Sequence, residues 1–189
     1  MALRLRKLQQ RKAKKTVKRK KRKATLRREA ALSNITHQLA TAQALQAPLY
    51  ECWEPEGLFE TNAGIGTVVV ARKTSAGQIL MAAFSLDVFY LGVKNVYCLL
   101  MRQEEYQHRL REIGTREILK KIPPDCARKL VEGAVAYAEE LDFYPHEDYG
   151  FAKKIFGNIE KELCPRSFTF GRDEKFPRHT GLKHPLTAG

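Results

Sequence analysis

Apolar positions crowd into near-continuous runs in the middle third of the chain and recur at steps of three and four in stretches on either side. Thr67 to Arg72 and Gln78 to Phe84 are dense in Val, Ile and other bulky apolar residues, and Lys73 to Gly77 between them suits a hairpin loop. The apolar run continues through Leu86 to Leu91 and Val93 to Leu100, broken by Gly92 and by Lys94-Asn95. These stretches predict three or four strands in an antiparallel meander, because the links are short.

After Met101 the period changes. Arg102 to Lys121 is helical in composition, with a break near Gly114-Thr115, and Pro123-Pro124-Asp125 opens a second helix with Asp125 as its N-cap. Ala127, Leu130, Val131, Ala134, Ala138 and Leu141 give that helix a regular apolar stripe. A third helical stretch is predicted from Tyr149 to Leu163, with Phe151, Ile155, Phe156, Ile159 and Leu163 facing inward despite Gly157. Ser167 to Phe170 fits a short edge strand. The expected fold class is α+β: a small antiparallel β-meander packed by about three helices, with a long basic N-terminal arm that is helical or disordered.

The N-terminal region is patterned differently. Ala2 to Ala47 contains neither Gly nor Pro, and Leu32, Ile35, Leu39, Ala42 and Leu45 recur at steps of three and four, so an amphipathic helix is expected over 31–47. In 1–30 the apolar residues are too sparse for a stripe. Ala47 to Gly66, with Pro48, Pro55, Gly57, Gly64 and Gly66, reads as an irregular connection that holds Trp53 among Glu51, Glu54 and Glu56. The organisation expected is a basic arm (1–30), an amphipathic helix (31–47), an α+β domain (48–171) and a C-terminal tail (172–189).

Charge sharpens this division. The whole chain carries 34 Lys or Arg against 21 Asp or Glu, a net +13. Residues 1–30 hold 15 of those bases and the single acid Glu29, so the arm is +14 and the remainder is −1. The cations are Arg4, Arg6, Lys7, Arg11, Lys12, Lys14, Lys15, Lys18, Arg19, Lys20, Lys21, Arg22, Lys23, Arg27 and Arg28. A block of like charge repels itself and has little to bury, so it calls for a polyanion outside the chain. If the arm neutralises ~6–10 phosphates, affinity falls by ~10³–10⁵ between 50 and 200 mM salt. RNA is favoured over DNA, because arginine-rich segments fold on RNA and the arm lacks both a zipper and the spaced Asn and Arg of a base-reading helix. A transit peptide is disfavoured by the Lys density and the absence of serine from the arm.

The chain has no apolar run of membrane-spanning length and no secretory signal, so a soluble, cytoplasmic protein is expected. Cys52, Cys98, Cys126 and Cys164 lie far apart, and reduced thiols are the default.

Several side chains are candidates for chemistry, each with a plainer structural reading beside it. Asp87 places a carboxylate in an apolar strand and suits a metal-dependent nuclease only if further carboxylates stand beside it; otherwise it pairs with Lys94 or accepts backbone N–H groups at a bend. His146 and Asp148 sit in one ionisable loop that would need metal ligands from elsewhere, and the plainer reading is a helix cap. Cys126 in a first helical turn would have a lowered thiol pKa, yet has no His near it in sequence. Glu104 and His108 form a helix-surface pair. No cofactor is expected.

The strings at Gly64 to Arg72 (GIGTVVVAR), Asp87 to Asn95 (DVFYLGVKN) and Phe168 to Asp173 (FTFGRD) resemble segments of a group of uncharacterised bacterial proteins. The resemblance covers Pro48 to about Asp173 and leaves the arm out. It implies a bacterial, cytosolic protein and supplies no catalytic residues. The first expectation is therefore a non-catalytic RNA-binding component of a ribonucleoprotein particle, such as a ribosome or a large structured RNA. In it the arm is helped by Arg72, Lys73, Lys120 and Lys121, and other proteins of the particle are further partners. The alternatives are a metal-dependent nuclease or nucleotidyl-processing enzyme tethered by the arm, and a DNA-binding regulatory or defence protein.

Overall fold

A computed structural model describes residues 38–60 and 64–171; the basic arm and the C-terminal tail lie outside them. The chain forms β1 (Leu49–Pro55), β2 (Ile65–Lys73), β3 (Ile79–Asp87), β4 (Gly92–Met101), α1 (Gln103–Gly114), β5 (Leu119–Lys121), α2 (Pro124–Glu140) and α3 (Tyr149–Ala152), with single 3-10 turns at Lys153–Phe156 and Lys161–Leu163. The strands make one antiparallel sheet in the order β4-β3-β2-β1-β5. This is the α+β fold that the periods predict.

The sheet is covered on both faces, which explains why β2 and β3 read as nearly continuous apolar runs instead of alternating ones. Val68, Val70, Leu80, Ala82, Phe84 and Leu86 point to α2, whose Cys126, Ala127, Leu130, Val131 and Ala134 complete the larger core. Val69, Ala71, Ile79, Met81 and Ala83 point to α1, which contributes Tyr106 as its one buried side chain. Gly92 lets the β3–β4 turn approach α2: it sits at φ +62°, and a Cβ there would come 2.7 Å from the Ala134 carbonyl oxygen.

Several expectations are corrected. Residues 49–55 form a strand between β2 and β5, not an irregular link, and Trp53 pairs with Val69 on one side and Lys121 on the other. The expected 102–121 helix ends at Gly114, at the expected break, and the stretch beyond it leads into β5 instead of resuming the helix. Asp125 lies in the first turn of α2 and the N-cap is Pro123. The third helix is a single α turn followed by 3-10 turns, because Gly157 at φ +52° ends the run, and Leu163 is 69% exposed. Ser167 to Phe170 joins no strand; Phe168 and Phe170 pack on Phe59, Phe170 stacks on Tyr137, and the Gly171 amide donates to the Val88 carbonyl. Of the predicted amphipathic helix, residues 38–44 are helical, but the buried positions are Thr41 and Ala44, while Leu39 is 60% exposed.

The cysteines are also corrected. Cys126 and Cys164 are joined in a disulfide that fastens the extended 164–171 segment to the start of α2. The candidate thiolate at Cys126 is thereby consumed. Cys52 and Cys98 are free, and burial pushes their thiols up, to about 12 and about 11, so neither is a nucleophile near neutrality. No helix among the described residues is long and apolar enough to cross a membrane.

Candidate nucleic-acid interface

The arm cations Arg4 to Arg28 lie outside the described residues, so the interface is built from where the arm joins the body. The helical residues 38–44 lead through Ala47 and Pro48 into β1. That junction is fixed by Arg72 near the end of β2. Its guanidinium donates to the carbonyls of Ala47 (2.5 Å), Ile155 (2.6 Å) and Phe156 (3.2 Å). A planar fork of five N–H donors suits three carbonyls arriving from two segments. Gly157 leaves the space, since a Cβ there would lie 2.8 Å from Arg72 Nη2. Burial lowers the Arg72 pKa from its ordinary value. Arg72 is thus a clasp between the end of the 38–47 segment and the turn after α3, not the free surface base expected from the sequence.

The other three cations expected to help the arm are also in contact with the body. Lys73 donates to Gln103 Oε1 (2.9 Å) and lies 5.0 Å over the Tyr50 ring. Lys120 stands 3.9 Å from the buried Glu54, which takes a 2.6 Å bond from Arg166. Lys121 stands 3.5 Å from Glu51 and 5.3 Å over the Trp53 ring, and Glu51 accepts the Tyr106 hydroxyl at 2.7 Å. On α2, Glu132 accepts from Arg128 (2.7 Å) and Lys161 (2.9 Å). Burial raises its pKa, but these two cations more than offset that and hold it below its ordinary value.

Lys153 and Lys154 differ. They are exposed, make no ion pair among the described residues, and lie over the rings of Tyr149 (5.6 Å) and Phe151 (5.7 Å). They belong to the 3-10 turn that Arg72 ties to Ala47, so this cationic pair sits on the turn fastened to the end of the 38–47 segment. The sequence reading missed them. The signal available was the interleaving of aromatic and basic residues in Tyr149-Gly150-Phe151-Ala152-Lys153-Lys154, a composition that suits stacking and phosphate contacts.

The candidates for metal chemistry are not brought together. Asp87 is buried at the end of β3, and its Oδ1 accepts the amides of Phe89 (3.1 Å) and Tyr90 (3.0 Å), which makes it the organiser of the β3–β4 turn. In the His146 and Asp148 loop, the imidazole Nδ1 accepts the Asp148 amide (3.2 Å) and stands 3.8 Å from its carboxylate, while the His146 amide donates to the Val93 carbonyl at the sheet edge. Among the described residues the one grouping of three metal-type ligands is Asp125, Cys126 and Cys164, and its two sulfurs are bonded to each other. On α1, His108 faces Glu112 at 3.7 Å in place of the expected Glu104.

Comparison with known proteins adds no family. The chain matches no family model, no curated protein and no solved structure at a significant level. The functional reading therefore depends on the chain's own charge and geometry.

Proposed function

We propose that this chain is an RNA-binding component of a ribonucleoprotein particle, holding phosphates with its basic N-terminal arm while the α+β body sets the arm's position. The partition of charge carries this reading. All the surplus cation is in residues 1–30, and the remainder sums to −1. The body supports it in a second way: Lys153 and Lys154 are exposed, make no ion pair among the described residues, and lie on the turn that Arg72 ties to Ala47. Phosphate contacts fix position without reading sequence, so the arm suits a partner chosen by shape or by single-stranded elements. The nuclease alternative gains nothing from Asp87, which is buried, has its Oδ1 on two backbone amides, and belongs to no cluster of metal-type ligands among the described residues.

The test compares the full chain with one lacking residues 2–30, binding structured RNA and duplex DNA across a salt series. The full chain is expected to prefer RNA and to lose ~10³–10⁵ in affinity between 50 and 200 mM salt. The truncated chain is expected to stay folded and to lose most of its binding. Equal binding by both chains removes the proposal, and a preference for duplex DNA replaces it with the DNA-binding alternative.

A further inference from the structure

Residues 40–48, which the arm leads into, form one wall of an open groove of about 300 Å³; the other wall is the β2–β3 turn from Thr74 to Gln78. The volume is at the small end of the range for ligand sites. Its lining has no charged side chain. The carboxamides of Gln43, Gln46 and Gln78 and the hydroxyl of Ser75 border it, all on exposed residues, and none makes a hydrogen bond among the described residues. Thr74, by contrast, spends its hydroxyl within the turn, donating to the Gln78 carbonyl (3.2 Å) and accepting the Gln78 amide (3.1 Å).

The chemistry of that lining selects its occupant. Three carboxamides and a hydroxyl each offer both a donor and an acceptor. With no charge in the lining, a phosphate or an ionised peptide side chain gains little there, and the small apolar residues that complete it give a lipid tail little to bury in. A neutral group with several donors and acceptors on one edge is matched: a nucleobase and the ribose hydroxyl next to it. The position agrees. In sequence the groove wall at residues 40–48 follows the basic arm. Lys153 and Lys154 lie on the neighbouring turn, joined to Ala47 through Arg72.

We propose that this groove receives an unpaired ribonucleotide, so that the nucleic acid held by the arm is single-stranded RNA. The proposal rests on the RNA-binding reading above. In a duplex the base edges are already paired and the groove has nothing to take, whereas loops and single strands present them.

The experiment uses the full chain and its Gln43→Ala/Gln46→Ala/Gln78→Ala variant. Fluorescence anisotropy is read with a short mixed-sequence single-stranded RNA, the corresponding RNA duplex and single-stranded DNA at fixed ionic strength. The variant is expected to bind single-stranded RNA about tenfold more weakly, the scale of one lost bidentate contact, with duplex affinity and the salt slope unchanged. Ala76→Trp, which fills the groove from an exposed turn position, gives the same loss by a different route. If both variants bind single-stranded RNA as the parent does, the groove proposal fails and the arm reading stands. If the parent itself binds no RNA, both fail. An equal loss on single-stranded DNA overturns the assignment to RNA.

Discussion

The Arg72 guanidinium donates a 2.5 Å hydrogen bond to the carbonyl of Ala47, 25 residues earlier in the chain. That bond and its two companions fasten Ala47 and the turn after α3 to the end of β2. Arg72→Ala leaves three carbonyls without this donor and is expected to cost about 2–4 kcal/mol. Arg72→Lys recovers only part, because a single ammonium cannot meet three acceptors spread around a planar fork. Urea unfolding monitored through Trp53 measures both. Equal stability of Arg72→Ala and the parent would show that the clasp contributes nothing.

The disulfide makes a second expectation. It closes a loop between residues 38 apart in sequence, for which chain-entropy reasoning gives roughly 3–4 kcal/mol. Thermal unfolding with and without reductant should differ accordingly, and the difference should vanish in Cys126→Ser/Cys164→Ser. Thiol titration of the denatured chain should find Cys52 and Cys98 before reduction and all four cysteines after it. Four reactive thiols without reductant would refute the pairing.

Acid stability should report on Glu132. Its carboxylate, bonded by Lys161 and Arg128, has a folded pKa below the ordinary 4.5. The fold therefore favours the ionised form: its contribution is complete above about 4.5 and is lost as pH falls through the lower folded value. Glu132→Gln is expected to lower stability near neutrality and to flatten the dependence below that value. An unchanged acid limb in stability against pH would contradict the assignment.

The parts of the fold legible in the sequence are those whose burial is decided locally. β2 and β3 carry dense apolar runs, and α2 carries a stripe with a Pro-Pro start, so each announces itself. β1 does not, because Glu51, Glu54 and Pro55 argue against a strand. Its acids become acceptable only through partners far along the chain: Tyr106 and Lys121 for Glu51, Arg166 for Glu54, 112 residues away. The same holds for the site. Surplus charge in the arm is visible from counting, but that Arg72 is a clasp and that the turn bearing Lys153 and Lys154 is tied to Ala47 depend on packing between β2, residue 47 and the turn after α3. The pairing of Cys126 with Cys164 is likewise a consequence of where α2 ends up, with no spacing signal to mark it.

Gly171 is tied to Val88 at the β3–β4 end of the sheet, whereas the segment from residue 40 meets the β2–β3 turn at the opposite end. The nine residues of β3 between those ends span about 30 Å. A fluorophore attached at residue 171 would consequently stand at the far end of the sheet from the groove, and immobilised-protein formats can be oriented from that side.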